Sequence, residues 1–242
     1  MSARTSPQTR DDVHWVHFIR DNTALIAPPL VPELRLHLAT ESLPIWQKTE
    51  EELGELNVPP PYWAFAWAGG QALARYILDH AELVAGKRIL DLGTGSGLTA
   101  LASMRAGAAS ALASDIDDLA LIATRLNAQA NGLAVETTAE DLLSRSPDGH
   151  DVVLVGDLFY ERQLADKVQA YIDAARAKGA HVLIGDPGRN YFPRDRFTHV
   201  AEYRVPVTRE LEDAEIKRTA VWQLDVPQIG RASCRERVCV PV

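Results

Sequence analysis

The chain has 242 residues, of which 46% are hydrophobic and 24% are charged, as is usual for a globular protein. Its net charge of −8 argues against the phosphate backbone of a nucleic acid as the main partner. The sequence has no apolar run of the ~20 residues that span a bilayer and no apolar segment near its start, so we expect a cytoplasmic protein without membrane contact.

We interpret residues 1–84 as an N-terminal extension. Apolar residues spaced through 11–21 predict an amphipathic helix, and leucines that alternate with polar residues through 34–38 predict a strand. Three prolines at 59–61 then precede four aromatic residues in the segment 62–67, which is unusual in a chain with only 7% aromatic residues. Core packing explains some of these rings. Because prolines and a Gly-Gly pair flank them, we predict that they wall a pocket, with Trp63 facing the substrate.

A glycine-rich loop follows the first strand of the main fold. The apolar residues before Gly93 predict a buried parallel strand, and the pattern GTGSG then leads into a helix at Leu98. We predict that Gly93, Gly95 and Gly97 let a ligand approach the backbone. Asp91 would repel a pyrophosphate and attract a ligand that carries an ammonium and a sulfonium. The loop therefore favours S-adenosylmethionine over NAD.

Two further acidic residues are candidates for binding the same ligand. Asp115 ends the second strand about twenty residues after the loop, where a carboxylate is placed to accept hydrogen bonds from ribose hydroxyls. We interpret Asp117 as the N-cap of the next helix. Asp141 follows the third strand, and two interpretations are equally open: it accepts a hydrogen bond from the adenine amino group, or it caps a helix.

The pattern of strands and helices predicts an α/β fold. Strands alternate with helices five times from residue 85 onward, and two strands then follow each other before residue 228. Such a pattern is typical of a doubly wound, Rossmann-like sheet that binds ligands at the carboxyl ends of its strands. We therefore assign residues 85–228 to one core domain.

The C-terminal segment 229–242 differs from the rest of the chain. Its first residues, IGRASCRERV, resemble the translation of a sequencing-adapter oligonucleotide, so we interpret it as a non-native tail. The alternative is a genuine basic tail. Both cysteines, Cys234 and Cys239, lie in this segment, and the histidines show no spacing typical of metal ligands. We therefore expect no metal site.

Six motifs together resemble a known family. They are VPELRLHLAT, PYWAFAWAGGQALARYILD, RILDLGTGSG, ASDID, VGDLFYE and VLIGDPGR, in this order between residues 31 and 222. The chain resembles class I methyltransferases that use S-adenosylmethionine. More narrowly, it is similar to the lysine methyltransferases of the β subunit of electron transfer flavoprotein. The resemblance implies a seven-stranded sheet of order 3-2-1-4-5-7-6 with strand 7 antiparallel.

The resemblance also assigns roles to individual residues. It implies that Trp67 and Gly156 contact the cofactor, together with the glycine loop and Asp115. Asp157 and Tyr160 match its D-x-F-Y motif, which lies beside the target amine, and we expect Phe159 in the substrate pocket. One departure is Ala68, where the family has proline. The alternatives are purely structural roles, namely an N-cap of the following helix for Asp157 and packing for Tyr160.

The expected reaction is methylation of a protein lysine, with the β subunit of electron transfer flavoprotein as partner. A lysine titrates near pH ~10.4, whereas the reaction requires the free amine. We predict that Asp157 accepts an N–H bond and orients the lone pair, while the aromatic faces stabilise the positive charge that moves from sulfur to nitrogen. The alternatives are methylation of a ribosomal protein or a small-molecule amine, and a cofactor-binding module without catalytic activity.

Overall fold

The computed structural model describes residues 10–39, 60–207 and 215–224, which contain five α-helices and nine strands. The proposed tail 229–242 lies outside these ranges. The helices are α1 Arg10–Asp21, α2 Ala68–Asp79, α3 Leu98–Arg105, α4 Asp118–Ala130 and α5 Arg162–Ala177. The strands are β1 Ala24–Ile26, β2 Leu36–Leu38, β3 Arg88–Leu92, β4 Ser110–Ser114, β5 Glu136–Thr138, β6 Val152–Gly156, β7 His181–Asp186, β8 Thr198–Pro206 and β9 Ile216–Leu224.

Seven strands form one sheet in the order β5-β4-β3-β6-β7-β9-β8. The strands from β5 to β7 are parallel, and β9 is antiparallel to both of its neighbours. Counted from β3, this is the predicted order 3-2-1-4-5-7-6 with an antiparallel strand 7, so the predicted fold class is confirmed. The direction of winding reverses between β3 and β6, which places a ligand crevice at the carboxyl ends of these strands.

Helices cover both faces of the sheet, which explains why its central strands are apolar without alternation. Ile89 in β3 packs in a cluster with residues of α2 and α3 on one face, such as Ile77 and Leu101. Leu90, the next residue, packs with Val168 of α5 on the other face. Every second residue of a strand points to the same face, so a strand that is buried on both faces must be apolar throughout.

The described part of the N-terminal extension packs on the core domain. In α1, Ile19 is fully buried in a cluster with Trp63 and residues of α4. Strands β1 and β2 pair as a small antiparallel sheet, and the backbone N–H of His37 in β2 donates to Asn127 Oδ1 of α4 at 2.7 Å. The helix and strand predicted here are confirmed, whereas the boundary at residue 84 stays a prediction.

Within the described ranges, no helix is both long and apolar enough to cross a membrane. The same ranges contain no group of three or more histidine, cysteine, aspartate or glutamate side chains that could hold a metal ion.

Candidate active site

A cavity of about 790 Å³ opens at the carboxyl ends of β3, β4 and β6. This size suits a nucleoside-sized cofactor. Most of the residues that we predicted from the sequence line it, namely Trp63, Trp67, Gly93, Gly95, Asp115, Asp141, Gly156, Asp157 and Tyr160. Asp91 lines a smaller neighbouring cavity of about 50 Å³, which shares Gly93 and Asp157 with the first. The structure brings Gly97 and Phe159 to the lining of neither cavity.

The glycine loop has the backbone shape that its sequence predicts. Gly93 has φ 65° and Gly95 has φ 52°, both in the left-handed region that side chains other than glycine avoid. A Cβ atom on Gly93 would also lie 2.6 Å from the side chain of Leu158. The loop therefore exposes backbone, rather than side chains, to the cavity.

Asp91 supports this loop from behind. Its Oδ2 accepts hydrogen bonds from Thr94 Oγ1 at 2.6 Å and from the backbone N–H of Ala100 at 3.1 Å. Its Oδ1 accepts one from Thr99 Oγ1 at 2.5 Å. The side chain is 1% exposed, and burial raises its pKa. Asp91 joins the loop to α3, and its direct attraction of a cationic ligand stays a prediction.

Asp115 links the loop to the end of β4. Its Oδ2 accepts the backbone N–H of Gly95 at 2.9 Å, and its Oδ1 accepts that of Asp117 at 3.1 Å. An ionised carboxylate has about four acceptor positions, which is more than these backbone bonds occupy, so acceptor capacity remains for a ribose hydroxyl. Asp117 itself accepts the backbone N–H of Leu119 at 2.9 Å, which confirms it as the N-cap of α4.

Asp141 caps a helix and also faces the cavity. Its Oδ1 accepts the backbone N–H of Leu143 at 3.1 Å, at the start of a short 3₁₀ helix. One of the two open interpretations, the helix cap, is therefore observed. Contact with adenine stays a prediction, and it is compatible with the position of Asp141 in the lining.

Asp157 lies directly after β6 in a strained conformation. It is the one non-glycine residue within the described ranges whose φ is positive, at 59°, and such strain is typical of functional sites. The backbone N–H of Gly70, in the first turn of α2, donates to its Oδ2 at 3.1 Å. Arg189 donates to its Oδ1 from Nη2 at 2.7 Å and from Nε at 3.1 Å. The carboxylate is thus fixed from two sides.

Arg189 is a site residue that we did not predict from the sequence. It follows β7, the strand next to β6, so the topology brings it beside Asp157. Asp186 Oδ1 shapes the turn between them by accepting the backbone N–H groups of Gly188 at 2.7 Å and of Arg189 at 2.8 Å. The guanidinium carbon lies 5.8 Å from the ring centre of Trp67. Two sequence signals could have found it: a polar turn directly after a strand, and the family motif VLIGDPGR, which ends at Arg189.

Aromatic rings form another part of the cavity wall. Tyr62 and Tyr160 are about half exposed, and their ring centres are 6.2 Å apart. Trp67 lies 6.1 Å from Tyr62. Trp63 is buried behind them but reaches the cavity. Phe159, predicted in the substrate pocket, is instead fully buried because it packs in the core beneath α5.

The charges around the cavity fit a cationic ligand. Of the residues that the structure describes, six carboxylate residues and two cationic ones, Lys167 and Arg189, line it. The acidic residues are Asp115, Asp117, Glu140, Asp141, Asp157 and Glu161. S-adenosylmethionine carries a sulfonium and an ammonium, and a lysine substrate carries an ammonium, so both are attracted to this surface.

Comparison with known proteins agrees with this geometry. The family model for ribosomal protein L11 methyltransferase (PrmA) matches residues 71–171. The electron transfer flavoprotein β-subunit lysine methyltransferase of Danio rerio is 37% identical over 226 residues, which cover 90% of this chain and 86% of that protein. Its counterpart from Homo sapiens is 36% identical over 212 residues, which cover 85% of this chain and 80% of that protein. The chain belongs to this family of lysine methyltransferases.

The solved structures agree at the level of the fold. Thermoplasma acidophilum 1320 is 20% identical, with a TM-score of 0.50, over 65% of this chain and 90% of that chain. The predicted class I methyltransferase fold and S-adenosylmethionine as the cofactor are confirmed.

Proposed function

We propose that this protein transfers a methyl group from S-adenosylmethionine to the ε-amino group of a lysine in the β subunit of electron transfer flavoprotein. The observation that carries the proposal is the 37% identity to the Danio rerio enzyme of that name over nearly the whole chain. The acidic, partly aromatic cavity beside Asp157 supports it, because a cationic lysine would enter such a cavity readily.

The residues of this chain suit the two ends of the cofactor. Asp115 has acceptor capacity for a ribose hydroxyl, and Gly93 and Gly95 line the cavity without side chains that would keep a ligand from their backbone. The cofactor supplies an electrophilic methyl group on a sulfonium. The protein must then hold a neutral amine in line with that methyl group, and such positioning supplies roughly 7–11 kcal/mol of a typical barrier.

Asp157 and the aromatic wall would position the amine. An oxygen of Asp157 accepts an N–H bond and so fixes the direction of the lone pair. Tyr62, Tyr160 and Trp67 exclude water, which favours the neutral amine, and their ring faces stabilise the positive charge that forms on nitrogen. No residue needs to form a covalent bond with the substrate.

The test is intact-mass analysis of purified electron transfer flavoprotein after incubation with the enzyme and S-adenosylmethionine. The expected result is that the mass of the β subunit increases by one or more methyl groups. This increase should be absent when the modified lysine of the β subunit is replaced by arginine. Methylation absent at saturating cofactor would reject this substrate. Labelled cofactor in a cell lysate then shows whether another protein, a small amine or nothing is methylated.

One alternative has an observation in its favour. The match of residues 71–171 to the PrmA family model raises ribosomal protein L11 as a substrate. Incubation of purified L11 in parallel with electron transfer flavoprotein decides between them. That nucleic acid is not a substrate, and that the protein is cytoplasmic, stay predictions, which labelled RNA and cell fractionation test.

A further inference from the structure

The ion pair between Arg189 and Asp157 is the most unusual contact of the cavity. Arg189 donates two hydrogen bonds to one oxygen of Asp157, and both side chains are largely buried, at 21% and 9% exposure. The other ion pairs between the described residues involve at least one partner that is more than 40% exposed. A buried pair of this kind has a stronger electrostatic effect than a surface pair because water screens it less.

The ion pair bears on how the substrate amine loses its proton. An unpaired carboxylate beside a lysine stabilises the ammonium form, which cannot accept a methyl group. A guanidinium that is bound to the same carboxylate offsets its charge and favours the neutral amine. Arg189 also remains cationic at every pH at which the enzyme works.

We propose that Arg189 is a positioning residue for methyl transfer. It fixes the Asp157 carboxylate in its strained conformation, and its positive charge lets Asp157 accept an N–H bond without retaining the amine as ammonium. The inference rests on the proposed function, because it requires an amine as acceptor. Asp186 holds Arg189 in place through the turn after β7.

Other titratable groups also face this part of the cavity, and they come from several elements. Tyr160 and Glu161 lie between β6 and α5, and Lys167 lies in α5. Among the described residues, Tyr62 and the acidic residues of 115–117 and 140–141 also belong to this set. Asp186, at the end of β7, is buried and accepts the backbone N–H of Arg189. Because these groups are unchanged in a variant of Arg189, a difference in pH profile between that variant and the wild type reports the guanidinium.

The experiment measures kcat for methylation of the β subunit from pH 6.5 to 10 at saturating cofactor, in the wild type, Arg189→Gln and Arg189→Lys. In Arg189→Gln the rise of kcat on the acid side of the profile should shift by about one unit to higher pH. The kcat of this variant should be about tenfold below that of the wild type at pH 7.5 and within about threefold of it at pH 9.5. Arg189→Lys keeps the charge but not the paired hydrogen bonds, so the rise of its kcat should stay near the wild-type position while kcat is lower throughout.

Two controls separate this role from a structural one. Arg196 Nη2 donates to both carboxylate oxygens of Asp173 in an ion pair on the surface. Because this pair lies outside the cavity, Arg196→Gln should leave the pH profile unchanged. Calorimetry should give all variants a cofactor affinity within a few-fold of the wild type. An equal loss at every pH in Arg189→Gln would overturn the proposal and make Arg189 a structural anchor.

Failure of the proposed function gives a different result. If the wild type does not methylate the β subunit, the same comparison uses the amine acceptor that it labels in lysate. A wild type that labels no acceptor rejects both proposals.

Discussion

Asp157 combines a strained backbone with a carboxylate that is already bound on both oxygens. Its left-handed φ costs of order 1–3 kcal/mol, and the hydrogen bonds from Gly70 and Arg189 compensate by holding the side chain in one place. The N-cap of the following helix, α5, is Glu161, so Asp157 does not cap that helix. The backbone geometry therefore agrees better with a role in orienting a substrate.

Replacement of Asp157 by alanine should stop transfer without removing the cofactor. We expect Asp157→Ala to lower single-turnover methyl transfer a hundredfold or more, about 3 kcal/mol, because the amine is no longer oriented. Calorimetry should give a cofactor affinity within a few-fold of the wild type. Asp157→Asn keeps one acceptor oxygen, so its rate of methyl transfer should lie between those of the wild type and Asp157→Ala. Loss of cofactor binding together with transfer would make Asp157 a cofactor residue.

Asp115 provides the matching test at the cofactor end. Asp115→Ala should weaken cofactor binding by about 1.5–3 kcal/mol, the range for hydrogen bonds to a charged acceptor. The neighbouring Asp118→Ala is the control, since Asp118 is exposed in the first turn of α4 and does not line the cavity. Unchanged affinity in Asp115→Ala, measured by calorimetry, would leave the ribose hydroxyls without their predicted partner.

Asp186 makes stability depend on pH. Burial raises its pKa to about 6 from an ordinary value of 3.8, so the folded state retains a proton that the unfolded chain releases. Its contribution to the free energy of unfolding is therefore full below pH ~4 and is lost as pH rises through 6, by up to about 3 kcal/mol. Asp186→Asn should raise Tm at pH 7.5 and change it little at pH 4.5. An equal shift of Tm at both pH values would contradict this assignment.

Single residues could be predicted only where a local motif surrounds them. The glycine loop and Asp115 occur in short patterns whose chemistry is local, so the sequence was sufficient to find them. Arg189 acts through a residue 32 positions away, and only the pairing of β6 with β7 brings the two together. Phe159 was misplaced because a phenylalanine in a motif can face either the cavity or the core.

At the scale of elements, α2 is packed unusually closely against the end of the sheet. Gly69 in its first turn touches the backbone of Gly185 in β7, with no room for a side chain on either residue. This approach is what allows the N–H of Gly70 to reach Asp157. The positive end of the helix dipole then also stabilises the carboxylate.

Gly185→Ala tests this close approach. The new Cβ would lie 2.8 Å from the carbonyl carbon of Gly69 and 2.9 Å from Leu73 Cβ, and neither atom can move without moving α2. We expect a loss of about 1–3 kcal/mol in the free energy of unfolding, together with slower transfer because Gly70 moves away from Asp157. Gly70→Ala is the control, since a Cβ there has nothing within 4 Å. Equal denaturation midpoints in the two variants would show that α2 adjusts freely.

The regular elements of the core could be predicted because their apolar patterns are long. Parallel strands followed by α-helices occur at β3, β4 and β6, and each such unit constrains the next. Between β5 and β6 the structure has a 3₁₀ helix, Leu142–Ser144, in place of the predicted α-helix. The strand β1 was not predicted, since three residues carry too little pattern to separate a strand from a loop. Its partner β2 was found because leucines alternate through it, and the burial of Leu36 and Leu38 in the hydrophobic core confirms that pattern.

At the scale of the whole molecule, β9 is the last strand along the described chain, and its pairing joins β8 to the rest of the sheet. Strand β9 pairs with both β7 and β8, and its final residue, Leu224, is buried in the core beneath α5. The hydrophobic clusters of the described ranges are therefore filled by residues up to 224. The segment 229–242 lies outside those ranges and carries the adapter-like sequence.

Removal of that segment should accordingly leave the protein unchanged. A chain that ends at Gln228 should unfold at the same temperature as the full chain if our interpretation holds, because residues translated from an adapter are not selected to pack. Differential scanning calorimetry at equal protein concentration measures this, and cofactor affinity serves as a second readout. A control that ends at Thr219 removes the second half of β9, which pairs with β7, and should unfold well below the full chain. A clear fall in Tm on truncation at Gln228 would instead identify 229–242 as a genuine structural element.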